Sequence, residues 1–244
     1  MIRLSGITKS FDRPVLRGID LAVPEGCLYG LIGPGASGKS VLLKIITGLL
    51  KPDNGSVEVD GRDVLGMNDL DLQEFRKRIG MLFQNNALFD FMTVADNIAF
   101  PLRRLFDLPE DEIQRRIEER LTVVSLPGFG HRLPAGLSGG QKKRVGVARA
   151  TVMGAPIVLY DEPAAGLDPV TSQKIFDLLR EEQRSSGATV VMVSSDLDRL
   201  LTVTDRVGMM YRGRLIFDGT TREAQESDDP YVHQFVHGKP EGPL

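Results

Sequence analysis

The octapeptide GPGASGKS at residues 33–40 constrains the fold of this chain more than any other segment. It matches the pattern G-x-x-x-x-G-K-[S/T], follows the apolar run CLYGLI and precedes the apolar-periodic run SVLLKIITGLL. Glycines let backbone N–H groups converge on a phosphate, and the N-terminus of the next helix adds a favourable dipole. Lys39 would reach the outer phosphates, and the Ser40 hydroxyl would take a magnesium position. The pattern predicts a strand–loop–helix unit whose phosphate loop consists of Gly33, Pro34, Gly35, Ala36, Ser37, Gly38, Lys39 and Ser40.

The composition excludes several classes of protein. The 244 residues carry a formal net charge of −3, which does not indicate a protein that binds polyanions. Cys27 is the single cysteine, so an internal disulfide is excluded and a reducing compartment is expected. The N-terminal segment shows no secretory signal, and no apolar run reaches the roughly 20 residues that span a bilayer. We therefore expect a soluble cytoplasmic chain that can still dock on a membrane protein.

The alternation of strand and helix patterns predicts an α/β fold. Short strand-like segments fill the first thirty residues, and PIVLYDE and ATVVMVSS are apolar runs with polar carboxyl ends. Apolar strands covered by helices on both faces indicate a mostly parallel sheet that binds ligands at its carboxyl edge. The segment 85–156 is mostly helical in pattern. The predicted division is a nucleotide-binding core over 1–84 and 157–244, with a helical subdomain over 85–156.

An acidic pair ends the strand-like run PIVLYDE. Asp161 would hold Mg²⁺, directly or through water, and Glu162 would polarise an attacking water. Taken alone, the pair is equally consistent with this role and with an acidic turn at the end of a strand. Downstream of a phosphate loop, it favours a site that hydrolyses a nucleotide.

The segment LSGGQKKRVGVARA at residues 137–150 distinguishes between families that share the phosphate loop. It resembles the signature of ABC ATPases, which GTPases, kinases and RecA-like motors lack. Gln84 after the strand-like GMLF, the pair Asp161–Glu162 and GLDP at residues 166–169 follow the order and spacing of an ABC nucleotide-binding subunit. The resemblance implies a P-loop NTPase with a RecA-like, mostly parallel core, an N-terminal antiparallel β part and an inserted helical subdomain. It also implies ATP and Mg²⁺ as ligands, and ATP hydrolysis coupled to transmembrane transport.

The resemblance further implies that two chains share each ATP site. Ser138, Gly139 and Gly140 begin a helix, and in this family that N-terminus closes over the γ-phosphate held by a second subunit. A homodimer with two shared sites follows, and Asp168 would link the two sites. Phe11 would stack on adenine, although a lone aromatic residue is equally consistent with a core position. The other implied contacts are Gln141 in the signature, Gln84 and Glu162 at the attacking water, and Ser40, Gln84 and Asp161 at Mg²⁺.

A narrower resemblance begins near Gln84. The segments MLFQNNALFDFMTVADNIAFPLR, SVLLKIITGLLKPDNG and QFVHGKPEGPL are similar to the ATPase of Mla-type, MCE-associated lipid transporters. This implies phospholipid transport between inner and outer membranes, at the cytoplasmic face of the inner membrane. The implied partners are a membrane-spanning permease, a small accessory cytoplasmic subunit and a periplasmic MCE-domain protein, with no nucleic acid. Apolar side chains would receive a permease helix or fill the core of the helical segment: Leu88, Phe89, Phe91 and Met92.

Two other functions stay open at this point. One is the ATPase of another ABC importer or exporter, for amino acids or lipoproteins. The other is a non-transport ABC ATPase that acts on ribosomes or DNA. Proteins of the second kind carry two cassettes or a long coiled-coil insertion, and this sequence has neither.

The segment VSSDLDR departs from the family pattern. Its Ser and Asp residues are typical helix caps, but ABC ATPases place Ser-His-Asp here, and the histidine contacts the γ-phosphate. Ser195 takes the histidine position, so we expect a catalytic site that lacks an imidazole and hydrolyses ATP slowly. Ala36 stands where the family usually has glycine, and Gly35 is expected to supply the flexibility. The histidines of the chain lie far from this segment in sequence: His131, His233 and His237.

Overall fold

The computed structural model describes all 244 residues. Its strands are β1 (Ile2–Ser10), β2 (Pro14–Val23), β3 (Leu28–Ile32), β4 (Asn54–Val59), β5 (Arg62–Asp63), β6 (Ile79–Leu82), β7 (Ile157–Asp161), β8 (Thr189–Val193), β9 (Arg206–Tyr211) and β10 (Arg214–Thr220). Its α-helices are α1 (Lys39–Ile46), α2 (Asp69–Arg76), α3 (Val94–Leu105), α4 (Glu110–Val123), α5 (Gly139–Thr151), α6 (Pro169–Ser186), α7 (Leu197–Val203), α8 (Thr221–Gln225) and α9 (Pro230–Val236).

The chain forms two compact units. The first unit consists of Met1–Asn68 and Thr189–Leu244, and the second consists of Asp69–Ala188. Every regular element between residues 85 and 156 is helical. The subdomain limits predicted at 84/85 and 156/157 stay a prediction. No helix of the chain combines the length and the apolar content needed to cross a membrane.

The first unit contains the antiparallel β part expected near the N-terminus. Its strands are ordered β2-β1-β4-β5, and β1 pairs antiparallel with both β2 and β4. Apolar residues of β1 such as Ile2, Leu4 and Ile7 are buried, because they point to the covered face of the sheet. β1 ends at Ser10, and a turn over residues 11–13 leads into β2.

The same unit also contains parallel strands. β3 pairs in parallel with β8 on one side and with β9 on the other, and β10 runs antiparallel to β9. All five residues of β3 and of β8 are buried, as expected for strands covered on both faces. Leu31 lies opposite Val193 in the register. The phosphate loop and the polar end of β8 therefore lie at the same carboxyl edge.

The second unit is built around the parallel pair β6 and β7, in which Leu82 lies opposite Tyr160. Helix α5 packs closely on β6, because small residues allow the approach. A Cβ atom at Gly80 would lie 2.0 Å from the Ala150 carbonyl oxygen, and one at Gly146 would lie 2.6 Å from Leu82 Cδ1. The carboxyl ends of β6 and β7 consequently lie side by side, each followed by polar residues.

Candidate nucleotide-binding site

The phosphate loop joins β3 to α1 within the first unit. Its end glycines, Gly33 and Gly38, have left-handed backbones, with φ of 135° and 103°. A Cβ atom at Gly33 would lie 2.0 Å from the Met210 carbonyl oxygen, and one at Gly38 would lie 2.6 Å from Leu16 Cδ2. Only glycine fits at either position. The predicted strand–loop–helix unit is present, and it packs against β2 and β9.

The Lys39 ammonium lies within the phosphate loop. Its Nζ donates hydrogen bonds to the carbonyl oxygens of Gly33 (2.7 Å) and Pro34 (2.9 Å), and to Ser37 Oγ at 3.3 Å. Ser40 follows in the first turn of α1, where helix N–H groups have no carbonyl partner within the helix. A cation, a hydroxyl and backbone donors are the groups that hold the phosphates of a nucleotide.

Ala36 is the strained residue of the phosphate loop. Its φ is +59°, in the left-handed region, whereas Gly35 does not take a positive φ. A Cβ in this conformation costs roughly 1–2 kcal/mol. The expected flexibility at Gly35 is therefore not what shapes the loop, and alanine adopts the conformation that a glycine would take without strain.

Phe11 lies in the turn between β1 and β2 and is 58% exposed, which excludes a core position. The residues before it are fixed by Asp53, which precedes β4. Asp53 accepts hydrogen bonds from Lys9 Nζ at 2.8 Å and from the Ser10 N–H at 2.6 Å. These contacts hold the pKa of the Asp53 carboxyl below its usual value, with the Lys9 hydrogen bond first among the causes. Lys9 Nζ also lies 5.7 Å from the centre of the Phe11 ring.

The polar end of β8 caps a helix and also lies at the edge beside the phosphate loop. Ser194 Oγ accepts a hydrogen bond from the Asp196 N–H at 3.0 Å. Asp196 is the N-cap of α7, and its carboxylate pairs with Arg199 at 2.7 Å. Ser195 lies between the two and is exposed. Both interpretations of this segment are thus compatible with the structure, because the flanking residues form the cap and Ser195 is left at the sheet edge.

A cavity of ≈ 610 Å³ within the first unit contains Ser195 and His237 in its lining. His237 follows α9, and its ring lies 4.5 Å from that of His233, measured between ring centres. His237 Nε2 also lies 3.1 Å from the Gln225 carbonyl oxygen. The separation of 42 positions between Ser195 and His237 concealed this proximity, which only the packing of α9 reveals.

In the second unit, Gln84 and the acidic pair follow neighbouring strands. Asp161 ends β7 and is 4% exposed. Glu162 takes a φ of +52°, a left-handed conformation that is uncommon and strained for a residue with a Cβ. Strain of this kind persists only when the surrounding contacts hold the backbone in place. Leu82 of β6 pairs with Tyr160 of β7. Gln84 and Glu162 each lie two positions beyond this pair, so they lie at the same edge of the sheet.

Lys143 is a buried cation that the sequence interpretation overlooked. Its Nζ donates to the carbonyl oxygens of Gln84 (2.7 Å) and Glu162 (3.1 Å), and the residue is 5% exposed. Burial lowers the pKa of the Lys143 ammonium, while the charges of Glu162 and Asp161 act in the opposite direction. The available signal was periodicity, since Lys143 shares the buried face of α5 with Val147 and Ala150.

The signature segment forms the capped N-terminus of α5. Ser138 Oγ accepts a hydrogen bond from the Gln141 N–H (3.3 Å), and Gln141 Oε1 accepts one from the Ser138 N–H (2.9 Å). This is a capping box, so Gln141 has a structural role in addition to its predicted one. Asp168 caps α6 through the Val170 and Thr171 N–H groups, both at 3.0 Å.

The two helix N-termini lie next to each other. A Cβ atom at Gly140 would lie 2.9 Å from Thr171 Cγ2, and one at Gly139 would lie 3.6 Å from Leu167 Cδ2. The segment that contains Asp168 therefore packs beside the signature within the second unit. The predicted site residues of the first unit are Phe11, Gly33, Pro34, Gly35, Ala36, Ser37, Gly38, Lys39, Ser40 and Ser195, and those of the second are Gln84, Ser138, Gly139, Gly140, Gln141, Asp161, Glu162 and Asp168.

A glycine-cradled lysine, a strand-end acidic pair and a capped SGGQ helix define an ATP-binding cassette. The chain belongs to the ABC transporter family, whose match covers residues 16–165. It is an ATPase of the kind that couples ATP hydrolysis to transport. Its predicted α/β cassette fold is confirmed by a dimeric structure of the ATP-binding cassette MJ0796 bound to ADP and Pi. That structure has a TM-score of 0.85 and 32% identity, over 91% of this chain and 99% of the other.

Curated relatives match across most or all of the chain. The probable ribonucleotide transport ATP-binding protein mkl of Mycobacterium tuberculosis is 39% identical over 244 residues, covering 100% of this chain and 68% of mkl. The intermembrane phospholipid transport system ATP-binding protein MlaF of Haemophilus influenzae is 34% identical over 245 residues, covering 100% and 93%. The methionine import ATP-binding protein MetN of Caulobacter vibrioides is 39% identical over 226 residues, covering 91% and 68%.

Proposed function

We propose that this chain is the ATPase subunit of an ABC transporter that moves phospholipid between membranes. The observation that carries the proposal is the likeness to MlaF along 100% of this chain and 93% of that protein. A second candidate is import of a small metabolite such as methionine, which the 39% identity to MetN favours. That match covers 91% of this chain. The match to MlaF spans more of both proteins than the match to MetN, which favours lipid transport over methionine import.

The proposed reaction is hydrolysis of ATP at a site shared by two copies of the chain. Lys39 and the N–H groups of the phosphate loop bind the phosphates. Glu162 orients the attacking water, and the N-terminus of α5 at Ser138 stabilises the γ-phosphate of the partner copy. The dimeric structure of the similar cassette MJ0796 supports this arrangement.

Magnesium is the expected metal of this reaction. The chain contains no group of three His, Cys, Asp or Glu side chains that would hold a metal by themselves. This fits Mg²⁺, which binds through one or two carboxylates together with substrate phosphates and water. Ser40, Gln84 and Asp161 are the proposed ligands, and the metal would neutralise charge on the phosphates.

The surface after Gln84 is the proposed docking site for a membrane-spanning permease. Phe91 is 79% exposed. Phe89 is only half-buried and packs between Phe91, at 5.9 Å between ring centres, and Phe100, at 4.8 Å. Phe91 is therefore the better candidate for contact with a permease helix, and the Phe89 ring packs against it. This docking would place the chain at the cytoplasmic face of the inner membrane.

The shared-site proposal is tested with Glu162→Gln, which keeps the side-chain shape and removes the carboxylate that acts on water. Saturating ATP and Mg²⁺ should convert this variant from monomer to dimer, measured by light scattering. Adding Ser138→Arg should prevent the dimer while ADP affinity, measured by calorimetry, stays the same. A Glu162→Gln chain that hydrolyses ATP at the unaltered rate would refute the proposed role of Glu162.

The transported substrate is tested by identifying the partners of the tagged chain from detergent-solubilised membranes. A permease together with an MCE-domain protein, and no ribosomal protein, is the expected result. A permease that co-purifies with a methionine-binding protein would support the second candidate instead. Ribosomal proteins without a permease would contradict both.

A further inference from the structure

We infer that Lys143 is a positioning residue, which fixes the backbones of Gln84 and Glu162 to the signature helix α5. The inference rests on the proposed roles of Gln84 and Glu162 in hydrolysis. It gives a role in the reaction to a residue of the signature segment for which the resemblance implies none. Lys143 would not contact ATP itself, because its ammonium is directed at two carbonyl groups of its own chain.

The contacts of Lys143 join three segments that are distant in sequence. Its Nζ bridges the Gln84 carbonyl, 59 positions away, and the Glu162 carbonyl, 19 positions away. One ammonium thus fixes the residue after β6 and the residue after β7 relative to each other. Since α5 begins at the signature, a displacement of this helix would be transmitted to both catalytic segments.

The left-handed backbone of Glu162 fits a segment that is anchored by its neighbours. A residue with a Cβ at φ +52° is held there by its surroundings. The Glu162 carbonyl accepts hydrogen bonds from Lys143 Nζ at 3.1 Å and from the Ala165 N–H, within its own turn, at 3.3 Å, and only the first joins Glu162 to another segment. Arg149, also on α5, contacts only one of the two segments. Its guanidinium donates to the carbonyl oxygens of Asn86 and Ala87, just after Gln84, and does not reach Glu162. Lys143 bonds to both segments, whereas Arg149 bonds only to the segment after Gln84.

Stability alone does not account for a lysine at this position. Removing an ammonium from water is costly, and apolar residues of similar volume are often as stable or more stable in its place. The segment surrounding Lys143 on α5 is otherwise apolar or small on its buried face. A buried cation that bonds two catalytic segments is better explained by the position it gives them than by its contribution to folding.

The test compares two neutral replacements of similar length. Lys143→Met removes all donors, whereas Lys143→Gln retains an amide that donates hydrogen bonds to carbonyl groups. Arg144→Met is the matched control, because Arg144 lies on the same helix and donates to the Val124 carbonyl at 3.2 Å, away from both segments. The measurements are single-turnover ATP hydrolysis, ADP affinity by calorimetry and amide hydrogen exchange over residues 84–87 and 162–166.

Lys143→Met should slow single-turnover hydrolysis by about tenfold or more, which is the scale of losing a hydrogen bond from a charged donor. ADP affinity should stay within about twofold, and exchange in both segments should become faster. Lys143→Gln should recover much of the rate, and Arg144→Met should resemble the unaltered chain. The thermal midpoint of Lys143→Met should stay close to that of the unaltered chain even though hydrolysis is slower.

Each failure has a separate meaning. If Lys143→Met hydrolyses ATP at the unaltered rate while Glu162→Gln is inactive, the positioning role is wrong and the proposed function stands. If Glu162→Gln is fully active, the assignment of the catalytic carboxylate fails. A Lys143→Met chain that loses ADP affinity and its thermal midpoint together with its rate would show a structural role and overturn the inference.

Discussion

The exchange Ser195→His tests the departure of this chain from its family. Ser195 lies two residues beyond Val193 in β8, and Gly33 lies two residues beyond Leu31 in β3. Because Val193 and Leu31 are paired in parallel strands, position 195 lies next to the start of the phosphate loop. A histidine there would bring a ring N–H toward the γ-phosphate. The shorter serine hydroxyl would need a bridging water to reach the same oxygen.

The expected size of the effect comes from the loss of one preorganised donor. Removing such a donor costs about 10²–10³ in rate in a well-studied enzyme of another class. A water bridged by the exposed Ser195 would recover part of this, so we expect Ser195→His to raise steady-state ATPase at least about tenfold. ADP affinity should change little, because Lys39 and the loop amides hold the phosphates. Phosphate release and calorimetry measure the two quantities.

An unchanged ATPase rate would refute this reasoning. The cavity that the segment 195–198 forms with the end of α9 offers another donor, since His237 lines it together with Ser195. If His237 provides the missing donor, His237→Ala should lower the rate and Ser195→His should restore it in the double variant. His131→Ala is the control, because His131 belongs to the other unit. If no group replaces the missing donor at Ser195, His237→Ala should leave the ATPase rate unaltered.

The other predictions concern stability, base binding and docking. Ala36→Gly should raise the free energy of unfolding, measured by urea titration, by about 0.5–1 kcal/mol. Glycine relieves the left-handed strain at this position, but the greater entropy of the unfolded glycine chain cancels part of that gain. Lys9→Met should weaken ADP binding about two- to fivefold, because Lys9 Nζ lies over the Phe11 ring that is predicted to stack on adenine. Binding of pyrophosphate, which has no adenine, should stay unaltered. Lys77→Met, which removes a similar cation 5.7 Å from the Phe106 ring, should leave both affinities unchanged. Phe91→Asp should reduce co-purification of the permease without lowering the thermal midpoint, and unfolding of this variant would contradict the docking role.

Much of the site could be predicted because its motifs are local. The phosphate loop is encoded by glycines at fixed offsets between a strand and a helix. The cap at Ser138 and Gln141 joins residues three positions apart. The acidic pair follows an apolar strand, so parallel pairing brings it to the carboxyl edge. These features need only short-range geometry, which a residue pattern records directly.

The other features of the site depend on tertiary packing, because the contacts that produce them join residues distant in sequence. In the sequence, Lys143 is one of several charged residues in a helical segment. Only the tertiary packing buries it against carbonyl groups 19 and 59 positions away. His237 lies 42 positions from Ser195 in sequence, and the two line one cavity only because the end of α9 packs near the segment 195–198. The residue pattern alone specifies which groups are available for chemistry. Their exposure, the left-handed backbones of Ala36 and Glu162 and the neighbours of each side chain follow from long-range packing, which no local pattern specifies.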